Sequence, residues 1–201
     1  MTGTKFETAE RWSERAYADA RAYLAHRAAL VVGLGPTLQP GDTVLDLACG
    51  DGALADFLPA RIGYRGVDAS EAMVADALRH GRTVELGDLN DYEPPEPVAT
   101  TTCFRAIYYA RDRRDLFARA EAYTTRKLVF DLNPRQYRVA DVRADLQAAG
   151  WTRLELRPFF SPQTRSLPAP FAALLRRLEG SGPLAGLLLR LRFTYLCAAA
   201  R

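Results

Sequence analysis

Three carboxylates and a glycine loop carry the chemistry open to this chain. Val44-Leu45-Asp46-Leu47-Ala48-Cys49-Gly50-Asp51-Gly52-Ala53-Leu54-Ala55 reads as an apolar strand, a glycine-rich turn and the start of a helix. Glycines at such a turn let the backbone bend sharply and approach a ligand with no Cβ in the way. Asp68 follows sixteen residues after Gly52, at the end of the next apolar run, and Asp88 lies at the end of the run after that. A carboxylate can accept several hydrogen bonds at once. Together these groups describe a cradle for a nucleotide-like cofactor.

Periodicity and breakers predict the elements that must hold them. Residues 7–32 read as one helix, with Trp12, Ala16, Ala20, Tyr23, Leu24 and Arg27 at three- and four-residue steps. Gly33, Gly35, Pro36, Pro40 and Gly41 then break the pattern. Strands are predicted at 43–48, 64–67, 83–86, 98–109, 127–132 and 151–160, with short helices at 53–58, 71–80, 112–124 and 139–149. Ser70 is placed to cap the helix that starts at Glu71, and Gly81 to close it. The fourth strand contains Thr100, Thr101 and Thr102, which is unusually polar for a buried strand. Residues 161–189 are rich in Pro and Leu and read as two helical pieces, and 191–200 as a last strand.

Strands alternating with helices imply an α/β fold with a parallel sheet. The expected organisation is a single domain. It comprises an N-terminal helical cap (1–41), a cofactor-binding core (42–160), a helical insert or lid (161–190) and a last strand (191–201).

The bulk properties agree. The 201 residues are 48% hydrophobic and 25% charged, ordinary for one soluble globular domain. A net charge of +3, evenly spread, argues against nucleic acid as a partner. Cys49, Cys103 and Cys197 form no CxxC pair, so neither a metal site nor a disulfide framework is expected. They read as reduced thiols of a cytoplasmic protein. The polar start (1–15) does not read as a signal peptide, and no apolar run is long enough to span a bilayer.

From about residue 42 to 160 the chain resembles the class I S-adenosylmethionine-dependent methyltransferases of the small-molecule type. VLDLACGDG (44–52) is similar to the first motif of that family, GVDAS (66–70) to the second and GDLND (87–91) to the third. The resemblance implies a Rossmann-like, doubly wound, mostly parallel seven-stranded sheet whose last strand is antiparallel. It implies S-adenosyl-L-methionine as methyl donor and S-adenosylhomocysteine as product. Asp46 would hold the methionine ammonium, Asp68 the ribose hydroxyls and Asp88 the adenine amine. Leu89, Ala69 and Met73 would pack on the adenine ring. Ala48, Cys49, Gly50, Gly52 and Phe104 would complete the wall, and Tyr17 would cover the methionine end. Cys49 reads as a small filler rather than a nucleophile.

The acceptor is expected to be a small molecule. The apolar insert suggests a hydrophobic one, with the atom methylated left open. Its frame should be the N-terminal helix, the ends of strands four and five, and the insert. The candidates are Arg105, Tyr108, Tyr109, Asn133 and Tyr137. Arg105 is singled out for an anionic acceptor. Neither His26 nor His80 offers an evident catalytic base, and the protein is expected to be a monomer or homodimer.

Two alternatives stay open. Gly50, Gly52 and Ala55 also satisfy G-x-G-x-x-A, the fingerprint of an NAD(P)-binding Rossmann oxidoreductase. Against it, Asp46 would set a carboxylate against the pyrophosphate. The other is a non-catalytic methyltransferase-like protein. Its motive is the Leu/Arg segment 171–192, which could meet a membrane surface; a lid or a core-facing stripe is the plainer reading.

Overall fold

The protein is described by a computed structural model covering Ser13 and residues 16–161, 166–180 and 194–201. The first twelve residues and residues 181–193 lie outside the described part. With them go most of the first turns of the predicted N-terminal helix and the second piece of the predicted insert, including Leu187, Leu188, Arg190, Leu191 and Arg192.

A seven-stranded sheet has the strand order β3-β2-β1-β4-β5-β7-β6. The strands are β1 (Thr43–Leu47), β2 (Gly63–Asp68), β3 (Val84–Leu86), β4 (Val98–Cys103), β5 (Thr124–Leu132), β6 (Arg153–Phe159) and β7 (Thr194–Ala200). The first five run parallel, and β7 inserts antiparallel between β5 and β6. The helices are α1 (Ala20–Gly33), α2 (Glu71–Arg79), α3 (Arg113–Tyr123), α4 (Val139–Ala148) and α5 (Ala169–Leu178). The expected doubly wound sheet with an antiparallel last strand is therefore present.

The side-chain alternation of β1 splits the core into two layers. Leu45 and Leu47 join Phe117, Phe130, Leu146 and Trp151 on one face of the sheet. Val44 joins Tyr23, Leu24, Val31, Val129 and Leu196 on the other. Asp46 shares the parity of Val44, so it faces the layer beneath α1.

Trp151 ties β6 to α3: its indole nitrogen donates to the Phe117 carbonyl at 3.0 Å, fully buried. Trp151→Phe keeps an aromatic ring, removes that donor and leaves a small void where the indole was wider. It is expected to cost about 1–2 kcal/mol, or about 2–6 °C in Tm. An unchanged melting curve would remove this bond from the account.

Two predicted elements are shorter than the sequence suggests. The N-terminal helix is interrupted: Ser13 and Ala16 are helical, Tyr17 to Asp19 are not, and α1 restarts at Ala20. Asp19 causes the restart, because its carboxylate accepts from the Ala22 amide at 2.9 Å as an N-cap. The fourth strand ends at Cys103 and does not reach Tyr109. Arg105 takes a left-handed φ of 54°, which turns the chain into a single 3₁₀ turn over Ile107–Tyr109. Residues 53–58 likewise form a 3₁₀ turn, Ala53–Phe57, rather than an α-helix.

The insert is helical where described. Leu175 and Leu178 of α5 pack on Phe160, while Phe171 (61%) and Leu174 (52%) stay exposed. The buried Glu179 anchors the helix end, accepting from the Phe160 amide at 2.8 Å and meeting His26 Nε2 at 2.9 Å. The predicted stripe therefore turns only part of its apolar surface inward. Among the described residues, no helix is long and apolar enough to cross a membrane.

Candidate functional site

The strand order reverses between β1 and β4, and open α/β sheets hold ligands at the carboxyl ends beside such a point. A cavity of about 1110 Å³ opens there. Its walls come from Asp46 in β1 and Ala48 to Asp51 after it, from Asp68 at the end of β2 with Ala69 and Ser70, from Gly87 to Asn90 after β3, and from Phe104 to Ala106, Tyr108 and Tyr109 after β4, with Tyr17, Leu24 and Arg27 on the remaining side.

Asp46 is almost fully buried in this wall. It accepts from the Thr102 hydroxyl at 2.6 Å and the Tyr64 hydroxyl at 3.1 Å. Pairing of β1 with β4 sets Asp46 beside Thr102, which accounts for one of the threonines in that strand. Another, Thr101, bonds to Thr124 Oγ1 at 2.6 Å inside the core. Burial pushes the Asp46 pKa from 3.8 to about 6, against the opposing effects of the two hydroxyls and Arg27. At neutral pH the group is still mostly a carboxylate.

Asp68 closes β2 and steadies the glycine loop. One oxygen accepts from the Gly50 amide at 2.7 Å, the other from the Ser70 amide at 2.9 Å. A carboxylate offers roughly four acceptor sites, so lone pairs remain for a ligand. Burial raises its pKa, and the two amides pull it back. Ser70 caps α2 through the Met73 amide at 3.4 Å, as its sequence position implies. Asp88 is more exposed. Its Oδ1 accepts from the backbone and side-chain amides of Asn90 at 2.8 and 2.7 Å, and the backbone bond is the main cause of its lowered pKa.

Most residues singled out from the sequence meet at this cavity. Tyr17, Asp46, Ala48, Cys49, Gly50, Asp68, Ala69, Met73, Asp88, Leu89 and Phe104 line it, and so do the acceptor candidates Arg105, Tyr108 and Tyr109. Burial raises the Cys49 thiol well above its ordinary value, which keeps it protonated and agrees with a filler role.

Several of the expected groups stand away from the cavity wall. Gly52 does not line the cavity: a Cβ there would lie 2.9 Å from Val84 Cγ2, so its bare Cα serves contact with β3 and a φ of 67°. Asn133 caps its own turn by accepting from the Arg135 amide at 3.0 Å, and Tyr137 packs on the core under Arg113 at 5.1 Å. Neither reaches the cavity wall, because β5 carries them past it. Residues 166–180 of the insert contribute no lining either.

Sequence reading did not assign Ser13, Arg27, Asp51 or Asn90 to the site, yet all of them line the cavity. Asp51 is buried and accepts from the Ser13 hydroxyl at 2.6 Å and its amide at 3.1 Å, tying the N-terminal segment to the glycine loop. Arg27 is 4% exposed and stacks over Phe104 (4.3 Å) and Tyr23 (4.7 Å). It donates to the Tyr23 hydroxyl at 2.6 Å, and its buried Nε has no hydrogen-bond partner among the described residues. Burial opposes its charge, but Tyr23, Tyr17 and the carboxylates of Asp131 and Asp46 outweigh this and raise its pKa. The signal was available: Arg27 lies on the same helical stripe as Tyr23 and Leu24, where a cation needs a reason to be buried.

Residues 44–127 match the family model of a methyltransferase domain. No curated protein matches the chain. Among solved structures, one similar chain belongs to the complex between the Haloferax volcanii Trm112 methyltransferase activator and a putative methyltransferase. It has 21% identity and a TM-score of 0.66, covering 94% of this chain and 93% of that one. An S-adenosylmethionine-dependent methyltransferase from Mesorhizobium loti aligns with 17% identity and a TM-score of 0.63, over 91% and 99% of the two chains. Magnesium protoporphyrin IX methyltransferase from Synechocystis, with bound cofactor, gives 16% and 0.62 over 95% and 84%. These likenesses establish the shared fold, and the matched family model covers the strands and loops that build the cavity. Residues 44–127 thus carry a match to a methyltransferase domain, on a fold that S-adenosylmethionine-dependent methyltransferases share.

Proposed function

We propose that this enzyme methylates a small molecule with an apolar or aromatic body, and that the cavity at β1–β4 holds donor and acceptor together. The observation that carries the reading is three carboxylates, Asp46, Asp68 and Asp88, lining one cavity from the ends of three successive strands. Asp46 takes the methionine ammonium, and the adjacent buried Arg27, whose Nε has no partner among the described residues, takes the carboxylate. Asp68 accepts from the ribose hydroxyls and Asp88 from the adenine amine, with Leu89, Ala69 and Met73 against the ring. The donor set fits the charges and hydroxyls of the cofactor one for one. It does not fit a dinucleotide, whose pyrophosphate would face the Asp46 carboxylate.

The sulfonium supplies an already activated methyl group. The protein's part is then to align the acceptor, exclude water and hold charges in place. Tyr17 and Phe104 close the methionine end. Tyr108 and Tyr109, about half exposed with ring centroids 4.4 Å apart, offer apolar faces to an acceptor at the mouth. The apolar insert is no longer the ground for a hydrophobic acceptor; these two rings are.

Calorimetric titration with S-adenosylhomocysteine, with NADH in parallel, tests the assignment. Binding of the former alone is expected. The titration also has a pH signature. A carboxylate with pKa about 6 must lose its proton to meet an ammonium, so affinity is expected to fall roughly tenfold per unit below pH 6. The apo fold responds with the opposite sign: because burial disfavours the charged form, this group's contribution to stability falls as pH rises from about 4 to 6. Asp46→Asn should flatten the affinity profile. An equally steep profile in that variant would move the titrating group elsewhere.

A further inference from the structure

One of the buried threonines of β4 bears directly on the cofactor site. Thr102 stands in the middle of the sheet, between β1 and β5, and is fully buried. Valine has nearly the same shape and would pack there with no hydroxyl to satisfy, so the hydroxyl needs an account of its own. It has one proton and two acceptors in reach: Asp46 Oδ1 at 2.6 Å and the Leu45 carbonyl at 3.3 Å. The shorter distance and the negative charge both put that proton on the Asp46 side. Across the carboxylate, Tyr64 donates to Oδ2 at 3.1 Å. Each oxygen of Asp46 therefore receives one neutral hydroxyl, which restrains the carboxylate's rotation and leaves lone pairs on both oxygens.

Asp46 meets ionisable groups from every element around it. Tyr64 and Asp68 come from β2, Arg27 from α1, Cys49 from the glycine loop and Cys103 from β4 itself. Burial keeps Tyr64 and both thiols protonated, and Arg27 stays charged. Below neutral pH only the two carboxylates of this group are left to change state. The Thr102 hydroxyl bonds to one of them, Asp46. Burial raises the proton affinity of Asp46, and the Thr102 bond is the strongest of the influences that pull it back.

We infer that Thr102 is a positioning residue for the methyl donor: its hydroxyl keeps Asp46 ionised and turned to the cavity, ready for the methionine ammonium. A hydrogen bond donated to the carboxylate favours the charged form over the neutral one. Without it, a large share of Asp46 would hold a proton at neutral pH in this buried wall, and a protonated acid has no charge to offer an ammonium. The bond also orients, because a β-branched side chain is stiff at χ1. The inference rests on the cofactor placement proposed above.

The test follows S-adenosylhomocysteine affinity by calorimetry between about pH 5 and 8 in the native protein, Thr102→Val and Thr102→Ser. Valine keeps the shape and removes the donor; serine keeps the donor and removes a methyl group. In Thr102→Val the midpoint of the affinity profile is expected to rise by about one pH unit, the size of a hydrogen bond to a charged group. Its affinity should then lie about fivefold below the native near pH 6 and within about threefold of it near pH 8. Thr102→Ser should bring the midpoint back to the native value. The Asp46 carboxyl carbon, followed by NMR in the cofactor-free protein, should show the same displacement in Thr102→Val. Thr102→Ala also lacks the donor and takes the place of the valine variant if that one does not fold. A merely structural defect lowers affinity equally at every pH; that result, an unmoved midpoint, or a midpoint raised as far in Thr102→Ser overturns the inference. A native protein that binds no S-adenosylhomocysteine at any pH, while the Asp46 carboxyl shifts as expected, would instead overturn the cofactor placement.

Discussion

Gly52→Val is expected to lower stability by about 2–5 kcal/mol, or roughly 5–15 °C in Tm. Two independent effects add. The first is conformational: at φ 67° a β-branched residue meets its own backbone, which costs on the order of 1–2 kcal/mol. The second is steric. A Cβ would stand 2.9 Å from Val84 Cγ2 and 3.5 Å from the Tyr64 hydroxyl, in the packed layer between the loop and β3. Overpacking of that kind costs about 1–3 kcal/mol because the core cannot shift without loss elsewhere. Gly33→Ala is the matched control, since its Cβ would meet nothing within 4 Å and its φ is not left-handed. Thermal unfolding of the pair reads the difference. A Gly52→Val protein that melts with the native one would show that the loop relaxes freely, contrary to the packing described.

Asp68→Ala is expected to weaken S-adenosylhomocysteine binding by about 1.5–3 kcal/mol, a ten- to hundredfold rise in Kd. Two losses contribute. On the proposed placement the acceptors for the ribose hydroxyls go, and so do the acceptors for the Gly50 amide at 2.7 Å and the Ser70 amide at 2.9 Å, which hold the loop ready. Asp68→Asn separates them, because its one oxygen still serves an amide while the charge is lost. Its affinity should fall between the native protein and the alanine variant. Calorimetry beside a melting curve distinguishes loss of the site from loss of the fold. Native affinity in Asp68→Ala would take this residue out of the site.

The order of elements was legible because it depends on local signals. Hydrophobic runs of strand length, Ser70 as a cap and Gly81 just past the end of the same helix each act within a few residues. The three acids at strand ends were legible for the same reason. Failures occurred where a local pattern continued but the chain did not. Residues 104–109 look β-branched and aromatic enough to extend β4, yet Arg105 turns left-handed because Asp131, on the neighbouring strand, takes its amide. The helical period runs unbroken through 17–19, but the Asp19 carboxylate restarts the helix.

By itself, the sequence determined an α/β sheet with a cofactor loop after its first strand, three acids at successive strand ends, and a small-molecule methyltransferase resemblance. The sheet, the loop and the places of the acids follow from side-chain period and turn chemistry, which are properties of neighbours along the chain, and the resemblance comes from the motifs at 44–52, 66–70 and 87–91. Only the tertiary structure decided what each group faces. Strand register put Thr102 on Asp46, fifty-six residues apart. Packing of α1 over the sheet buried Arg27 among aromatic rings beside the cavity. The close approach of β3 made Gly52 a packing residue, and the reach of β5 carried Asn133 and Tyr137 away from the site. These depend on contacts between distant segments, which local patterning leaves open and which close packing of the core then fixes.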